Sequence, residues 1–481
     1  MLLNSLDALP RVVLHRVPRL ALAALALASL AACANFSGIA PEAQLRQLPA
    51  VDANAPVVAA MDVEWWHGFD DPQLDRLIAQ AVQGSPSLKL AQARLHRAQA
   101  ATDGARSATL PQVGAEAQAM RQLYTAKGPY PAPLAGGIYN SGTVQLTARW
   151  EFDFFGKNRA ALDAALGQAK AAQADTQAAR VLLVSQVARS YFQLLRLNGQ
   201  LGLANRTLAQ RSELLALVRD RVQAGLDTGL ELNQSQGSLP EARQQIEALS
   251  EQIALGRNAL SALVGQSNTA DALTLPALSA IKNAANIQTI PADLLGRRAD
   301  IAAARWRVEA AGADVRSTQA QFYPDSNLMG FAGLSSIGLG NLLHAGSQQW
   351  GIGPAIHLPI FDAGRLRAGL KVKTADLDAA VESYNAALIE AMRDVADQLT
   401  SQQSIVRQQT EQRAAQQSAE TAYEIAVQRY SAGLGNYLNV LGSETAVLAQ
   451  RRLQVDLAAR ALDTQVALVR SLGGGFNASA I

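Results

Sequence analysis

Apolar residues recur at every seventh position over stretches far longer than a bundle helix needs. Val187, Leu194, Leu201, Leu208, Leu215 and Val222 stand seven apart, as do Leu232, Leu239, Ile246, Ile253 and Leu260. Leu441, Leu448, Val455, Leu462 and Val469 repeat the spacing near the end of the chain. A straight helix drifts off a strict seven within a few turns, so sustained heptads predict helices packed side by side as coiled coils. Few breakers fall between Lys157 and Gln223, and at ~1.5 Å per residue a helix over that stretch runs on the order of 100 Å. No compact domain needs such a rod. One conflict sits inside the second run, where Pro240 removes a helical hydrogen bond and clashes with the preceding turn. Ser238-Leu239-Pro240-Glu241 is also a capping-box pattern with proline in the first turn, so the helix is expected to restart or kink there.

The chain also repeats itself once. Gly156 and Gly364, Gly225 and Gly433, and Gly265 and Gly473 are each 208 residues apart (364 − 156, 433 − 225, 473 − 265). Leu110-Pro111 matches Tyr323-Pro324 at a slightly larger offset. Each half reads as helix, hairpin, very long helix, tight turn and long helix. The first repeat takes residues 65–265, with a hairpin at 112–153 and long helices at 157–225 and 229–265. The second takes 297–473, with a hairpin at 325–361 and long helices at 364–432 and 436–472. An extended linker, 33–64, precedes them, a connector, 266–296, joins them, and a tail, 474–481, follows.

Four short segments alternate in polarity. In 142–153, Val144, Leu146, Ala148, Trp150 and Phe152 take one face, and Gln145, Thr147, Arg149, Glu151 and Asp153 take the other. In 348–361, Trp350, Ile352, Ile356, Leu358 and Ile360 alternate with Gly351, Gly353, Ala355 and His357. Residues 112–122 and 326–335 alternate more weakly. Such strands fit an antiparallel sheet on a soluble core, or a transmembrane barrel with lipid outside and water inside. The barrel reading makes Val144, Leu146, Trp150, Ile352 and Ile356 lipid-facing. Four strands cannot close a barrel, and an open edge in hydrocarbon leaves unpaired backbone groups that each cost several kcal/mol. The chain must then oligomerise: two copies give eight strands filled by side chains, three give twelve and room for water.

Ahead of the repeats, Arg11, Arg16 and Arg19 precede an apolar run from Leu20 to Ala31, which ends in Leu30-Ala31-Ala32-Cys33. The run is shorter than the ~20 residues of a spanning helix, and the layout over 1–32 is that of a secretory signal. A small pair before the single cysteine resembles the lipobox of bacterial lipoproteins, in which the thiol receives diacylglycerol and the new amine an acyl chain. Ala34 after it, rather than Asp, favours the outer membrane over retention at the inner one. A buried cytosolic cysteine is the plainer alternative. With Cys33 carrying lipid, no disulfide forms within the mature chain. Net charge is +2 and charged residues make up 17%, so nothing points to nucleic acid as a partner. Beyond the signal no run approaches the length of a spanning helix, so a membrane crossing has to use strands.

No catalytic constellation emerges. His67, His96, His344 and His357 are scattered, without metal-ligand spacing. Gly338-Leu339-Gly340 lacks the third glycine and the βαβ setting of a dinucleotide fingerprint. No catalytic residue, metal or cofactor is expected apart from the lipid on Cys33, and an envelope enzyme is the least favoured reading.

Four stretches carry a family resemblance. They are Trp65-Trp66 with Phe69, Asp71-Pro72, Leu74, Leu77 and Ile78; Trp150-Glu151 through Phe155-Gly156-Lys157; Leu294-Leu295-Gly296-Arg297-Arg298 with Asp300-Ile301; and Leu472-Gly473-Gly474-Gly475-Phe476. Over about 65–476 the chain resembles the TolC-like outer membrane factors, in the lipoprotein form that serves resistance-nodulation-division efflux pumps. It departs from the usual pattern at Ala299, where proline is common, and at Phe476, where tryptophan is. The resemblance implies a mixed α/β membrane protein and a homotrimer. In it, a twelve-stranded β-barrel, four strands from each copy, is continued by a long α-helical barrel with a mixed equatorial domain, to which 268–290 and the tail contribute. The implied role is a passive exit duct for drugs or other small toxic molecules, supplied by an inner-membrane efflux pump through a periplasmic adaptor. The same fold serves type I secretion of peptides or proteins, and a lipid-anchored coiled-coil scaffold without a pore is the alternative of a different class. The resemblance places adaptor docking at Gly225, Leu226, Thr228, Gly433 and Leu434, and the periplasmic aperture at Leu438, Asn439 and Gly442. Many family members carry Asp near Asn439 or Gly442; both are uncharged here, which leaves Glu444 or Glu231 as substitutes.

Overall fold

The structure, a computed structural model, describes residues 36–46, 62–266, 273–282 and 297–476. Cys33 and the signal before it lie outside the described residues, as do parts of the connector and the last residues of the tail. In chain order the main elements are helices α1 (Pro72–Gly84) and α2 (Pro86–Ser107), strands β1 (Gln112–Leu123) and β2 (Ile138–Phe152), and helices α3 (Lys157–Gln223) and α4 (Gly229–Val264). Helix α5 (Ala299–Ala320), strands β3 (Asp325–Ile337) and β4 (Gln348–His357), and helices α6 (Arg365–Ser431) and α7 (Tyr437–Ser471) repeat the order. Helices α3 and α6 each run for 67 residues.

The glycines spaced by 208 share one physical cause. Gly156 and Gly364 have φ of 80° and 86°, Gly225 and Gly433 both 74°, and Gly265 and Gly473 77° and 98°. Only glycine enters this left-handed region without a Cβ penalty. The sequence repeat is therefore a repeat of helix starts and helix ends.

Helix α4 passes through Pro240 without interruption, so the expected restart does not occur. Ser238 Oγ donates to the Ser235 carbonyl at 2.8 Å instead of capping a new helix. Ser235 and Ser238 before the proline and Ala242 and Leu249 after it are all buried. Packing of one continuous face outweighs a local penalty of about 3 kcal/mol.

The chain divides into two compact units, each drawing on both halves. The first comprises the described part of Met1–Leu45 with His96–Lys170 and Arg305–Ser383. It holds one antiparallel sheet in the order β1-β2-β3-β4. Register pairs Leu146 with Ala115 and Ala332, and Ala332 with Trp350, which puts these side chains on one face. That apolar face is exposed: Leu146 58%, Trp350 77%, Ile352 70% and Ile356 73%. On the other face the polar side chains bond sideways, Gln145 donating to Glu116 at 3.2 Å, Gln349 to Gln145 at 2.9 Å and Arg149 to Asn327 at 3.2 Å. Met329 and Phe331 share this polar face, opposite Arg149 and Thr147, while Leu328 and Leu334 lie on the apolar one. Apolar residues on both faces explain why β3 alternates weakly. Strand β4 ends at His357, short of the expected 361, and β1 and β4 each keep one unpaired edge. Below the sheet, Phe36 and Ile39 pack on a small core of Val315, Phe322, Leu366 and Leu370.

The second unit comprises Arg46–Leu95, Ala171–Ala304 and Tyr384–Ile481, as far as these are described. Its main core sets Trp65, Trp66, Phe69, Leu74 and Ile78 against Tyr191, Phe192 and Leu195 of α3, Leu260 and Val264 of α4, and Val466 of α7. Asp71 caps α1 by accepting from Gln73 and Leu74, and also accepts the Tyr191 hydroxyl at 2.6 Å. Every heptad position named in α3, α4 and α7 is at least half-buried. The middle of α6 carries no such run and packs on α7 through amides. Gln412 donates to the Gln450 carbonyl at 3.0 Å and to Gln416 at 2.9 Å, Gln416 donates to Glu420 at 3.1 Å, and Arg451 donates to Glu420 at 3.0 Å.

Candidate functional site

The two helix-to-helix turns are built alike. The Gly225 N–H donates to Val222 at 3.0 Å and the Leu226 N–H to Arg221 at 2.9 Å; Gly433 donates to Tyr430 at 3.1 Å and Leu434 to Arg429 at 2.8 Å. Both are Schellman endings, which satisfy terminal carbonyls through a left-handed glycine. The chain reverses so sharply that Leu226 and Leu434 stay 64% and 69% exposed. Gly225, Thr228 and Gly433 are exposed as well.

The helices that follow start differently. Thr228 and Glu231 form a full capping box on α4, with the Thr228 N–H donating to Glu231 at 2.9 Å. On α7 a single cap serves: Asn436 Oδ1 accepts the Asn439 N–H at 3.1 Å.

Behind the first turn lies a network that sequence reasoning did not find. Arg221 Nε and Nη2 donate to Asp227 at 2.9 and 3.3 Å, and Nη1 donates to the Tyr430 carbonyl at 2.9 Å. The guanidinium sits 4.5 Å from the centre of the Tyr430 ring, and the Tyr430 hydroxyl donates to Asp227. One arginine thus ties the last turn of α6 to the turn between α3 and α4, over a core of Leu214, Val218, Tyr437 and Val440. Burial pushes the Asp227 carboxyl up, but hydrogen bonds from Arg221 and Tyr430 outweigh it and hold the group below its ordinary value. Burial, then Asp227, pushes the Tyr430 phenol up. A signal was available in the repeat: Arg221 corresponds to Arg429, while Asp227 corresponds to Gly435, so only one turn carries the acid.

Along the start of α7, Leu438, Asn439 and Gly442 are exposed, and a side chain built on Gly442 would meet open space. Both substitute acids are held by neighbours, and only Glu444 is buried. Glu444 is only 4% exposed, and Arg211 Nε and Nη2 hold its two oxygens at 3.0 and 3.2 Å. Glu231 is committed to its cap. Heptad counting places Glu444 beside the apolar seam of α7, but it does not reveal Arg211 on α3 facing it.

In the sheet, Val144, Leu146, Trp150, Ile352 and Ile356 share the exposed face. Among the described residues no group of three or more His, Cys, Asp or Glu is placed to hold a metal ion, and no helix is long and apolar enough to cross a membrane.

Comparison with known proteins places this architecture. The model of the outer membrane efflux protein family matches residues 77–266 and 290–474, most of the chain and both repeats. The chain belongs to that family. It is 38% identical to the fusaric acid resistance protein FusA of Burkholderia cepacia, over 73% of this chain and 68% of that one. It is 31% identical to the multidrug resistance outer membrane protein MdtQ of Escherichia coli O157:H7, over 94% and 96%. The crystal structure of the outer membrane protein VceC from Vibrio cholerae superposes with a TM-score of 0.82 at 37% identity, covering 87% of this chain and all of that one. Within the outer membrane efflux protein family, then, the mixed architecture of long helices and a small sheet is the shared frame.

Proposed function

We propose that this outer membrane efflux protein is the exit duct of a tripartite pump, passively conducting drugs or other small toxic molecules across the outer membrane. The single observation that carries the reading is the four-stranded sheet, whose apolar face is exposed while its polar face bonds laterally. Three copies joined edge to edge give a twelve-stranded barrel with lipid outside and water inside, and their long helices supply a helical tube. The names of FusA and MdtQ support resistance by export, and small molecules rather than proteins as the cargo.

In this reading the Cys33 lipid adds membrane affinity. A periplasmic adaptor, itself joined to the inner-membrane pump, docks at Gly225, Leu226, Thr228, Gly433 and Leu434. The aperture lies at Leu438, Asn439 and Gly442 and, without a carboxylate there, has little cation preference. Substituting Gly442→Asp adds one charge per copy and raises that preference, read as a shifted reversal potential across a planar bilayer under a salt gradient.

The deciding experiment contrasts neighbours in β2. Leu146→Arg puts a charge on the lipid face, at a cost of about 2 to 4 kcal/mol near the midplane, and is expected to abolish outer membrane assembly and drug resistance. Gln145→Arg faces water and is expected to keep both. Equal behaviour of the two variants overturns the assignment of the faces and, with it, the duct.

A further inference from the structure

A cavity of about 150 Å³ opens beside Trp65 and Trp66 in the helical unit, lined by none of the turn residues. Its walls combine the two indoles, Phe476 and Val184 of α3 with the polar side chains of Gln177 and Arg180. A cavity of roughly this volume has room for a single benzene-sized ring. From the C-terminal side it is closed by Gly474 and Gly475. A Cβ on Gly475 would come within 2.4 Å of the Asp62 carbonyl, so only a bare backbone fits there. Gly473, Gly474 and Gly475 have φ of 98°, 57° and 80°; the first two N–H groups return to the Arg470 and Val469 carbonyls at 3.0 and 2.9 Å.

Apart from the Gln177 amide, which both donates and accepts, the polar groups left over at this cavity are donors. Among the described residues, Arg180 has neither an ion pair nor a hydrogen bond, and the Gly475 N–H has no acceptor. Trp65 and Trp66 are only 7% and 6% exposed, and their indole N–H groups make no hydrogen bond within the protein. Guanidinium and indole can only donate. The acids next in the chain are engaged elsewhere: Asp62 accepts the Glu64 N–H at 3.0 Å, and Glu64 lies 3.4 Å from His67 Nε2.

We propose that this cavity binds a small aromatic monocarboxylate, with its ring between the indoles and the aliphatic wall and its carboxylate on Arg180. Volume sets one ring, the walls make it aromatic, and the unpaired donors make it an anion. The site does not depend on the efflux reading, since it uses neither the sheet face nor the turns.

The test titrates the purified full-length protein, in an uncharged detergent, with benzoate, benzyl alcohol, benzylamine and acetate, read by calorimetry and tryptophan fluorescence. Benzoate is expected to bind once per chain and to perturb the fluorescence, benzyl alcohol to bind about tenfold more weakly, and the other two not to register. Arg180→Gln should lower benzoate affinity about tenfold while leaving benzyl alcohol unchanged, and Arg180→Lys should keep part of the affinity. If Arg180→Gln does not assemble, Gln177→Leu at the same cavity should weaken benzoate selectively. Absence of benzoate binding, equal binding of benzylamine, or benzoate affinity indifferent to these substitutions overturns the proposal. Acetate binding as well as benzoate means an adventitious ion only.

Discussion

The two helix-to-helix turns share a backbone and differ in chemistry. Each ends a 67-residue helix in a left-handed glycine with φ of 74°, and each exposes a leucine directly after it. Yet the first carries Asp227, bonded by Arg221 and Tyr430 and followed by a capping box, whereas the second carries Gly435 and one asparagine cap. Arg429, the counterpart of Arg221, is exposed and reaches only the Leu434 carbonyl, at 3.3 Å. Duplication preserved what the backbone demands, and the side-chain chemistry diverged around it. The first turn is fastened to the end of α6 by charge; the second is held mainly by its own helix ends.

The largest break in this comparison should come from the arginine. Arg221→Met leaves Asp227 and the Tyr430 carbonyl without their main donor in a site about nine-tenths shielded, at a cost of about 2 to 3 kcal/mol. Faster hydrogen exchange is expected at the first turn and at the end of α6, while Arg429→Met leaves exchange unchanged. Acid should act in the same direction. Because the Asp227 carboxyl is held below its ordinary value, its contribution is complete above about pH 4 and fades as pH falls through the depressed value. Protection of the first turn, taken relative to intrinsic amide exchange at each pH, should therefore fall at low pH in the wild type but not in Asp227→Asn, where the contribution is already lost.

Next in size, Gly225→Val and Gly433→Val force a β-branched residue into the left-handed region at about 1 to 2 kcal/mol each. Local exchange should respond equally in the two turns, since this demand is one of backbone alone. A twofold difference in cost would show that the turns are not equivalent even there. Removing the caps, by Thr228→Ala or Asn436→Ala, should each cost about 1 kcal/mol, read as fraying of the first turn of α4 or α7. The smallest effect restores symmetry. Gly435 has ordinary φ, and its Cβ would meet Arg429 Cβ at 3.5 Å, so Gly435→Asp is sterically easy and sets a carboxylate beside Arg429. A gain of at most about 0.5 kcal/mol is expected, because an exposed pair is screened.

Local rules reached much of this molecule. Heptads located α3, α4 and α7, because a side chain's burial on a helix is written in its own spacing, and positive φ wrote the repeat into glycine. What escaped needed partners distant in sequence. Tyr430 meets Asp227 across 203 residues and Glu444 meets Arg211 across 233, and no periodicity announces either. Glu444, a gate candidate by its sequence position, is a buried ion-pair partner. The restart at Pro240 failed for the opposite reason: a strong local signal was overruled by packing on either side of it. Strand β3 alternated weakly because Met329 and Phe331 occupy the polar face, a departure that only register exposes.

The amide seam between α6 and α7 gives the helical unit an uneven response to temperature. Apolar clusters such as the one around Tyr191 and Phe192 draw their strength from water release, which weakens on cooling. Gln412, Gln416 and Glu420 bury amide and carboxylate surface instead, whose exposure carries a heat-capacity change of the opposite sign. Chilling therefore loosens the tryptophan-rich core before it loosens the glutamine ladder, and the middle of α6 is where the long helices keep their grip in the cold.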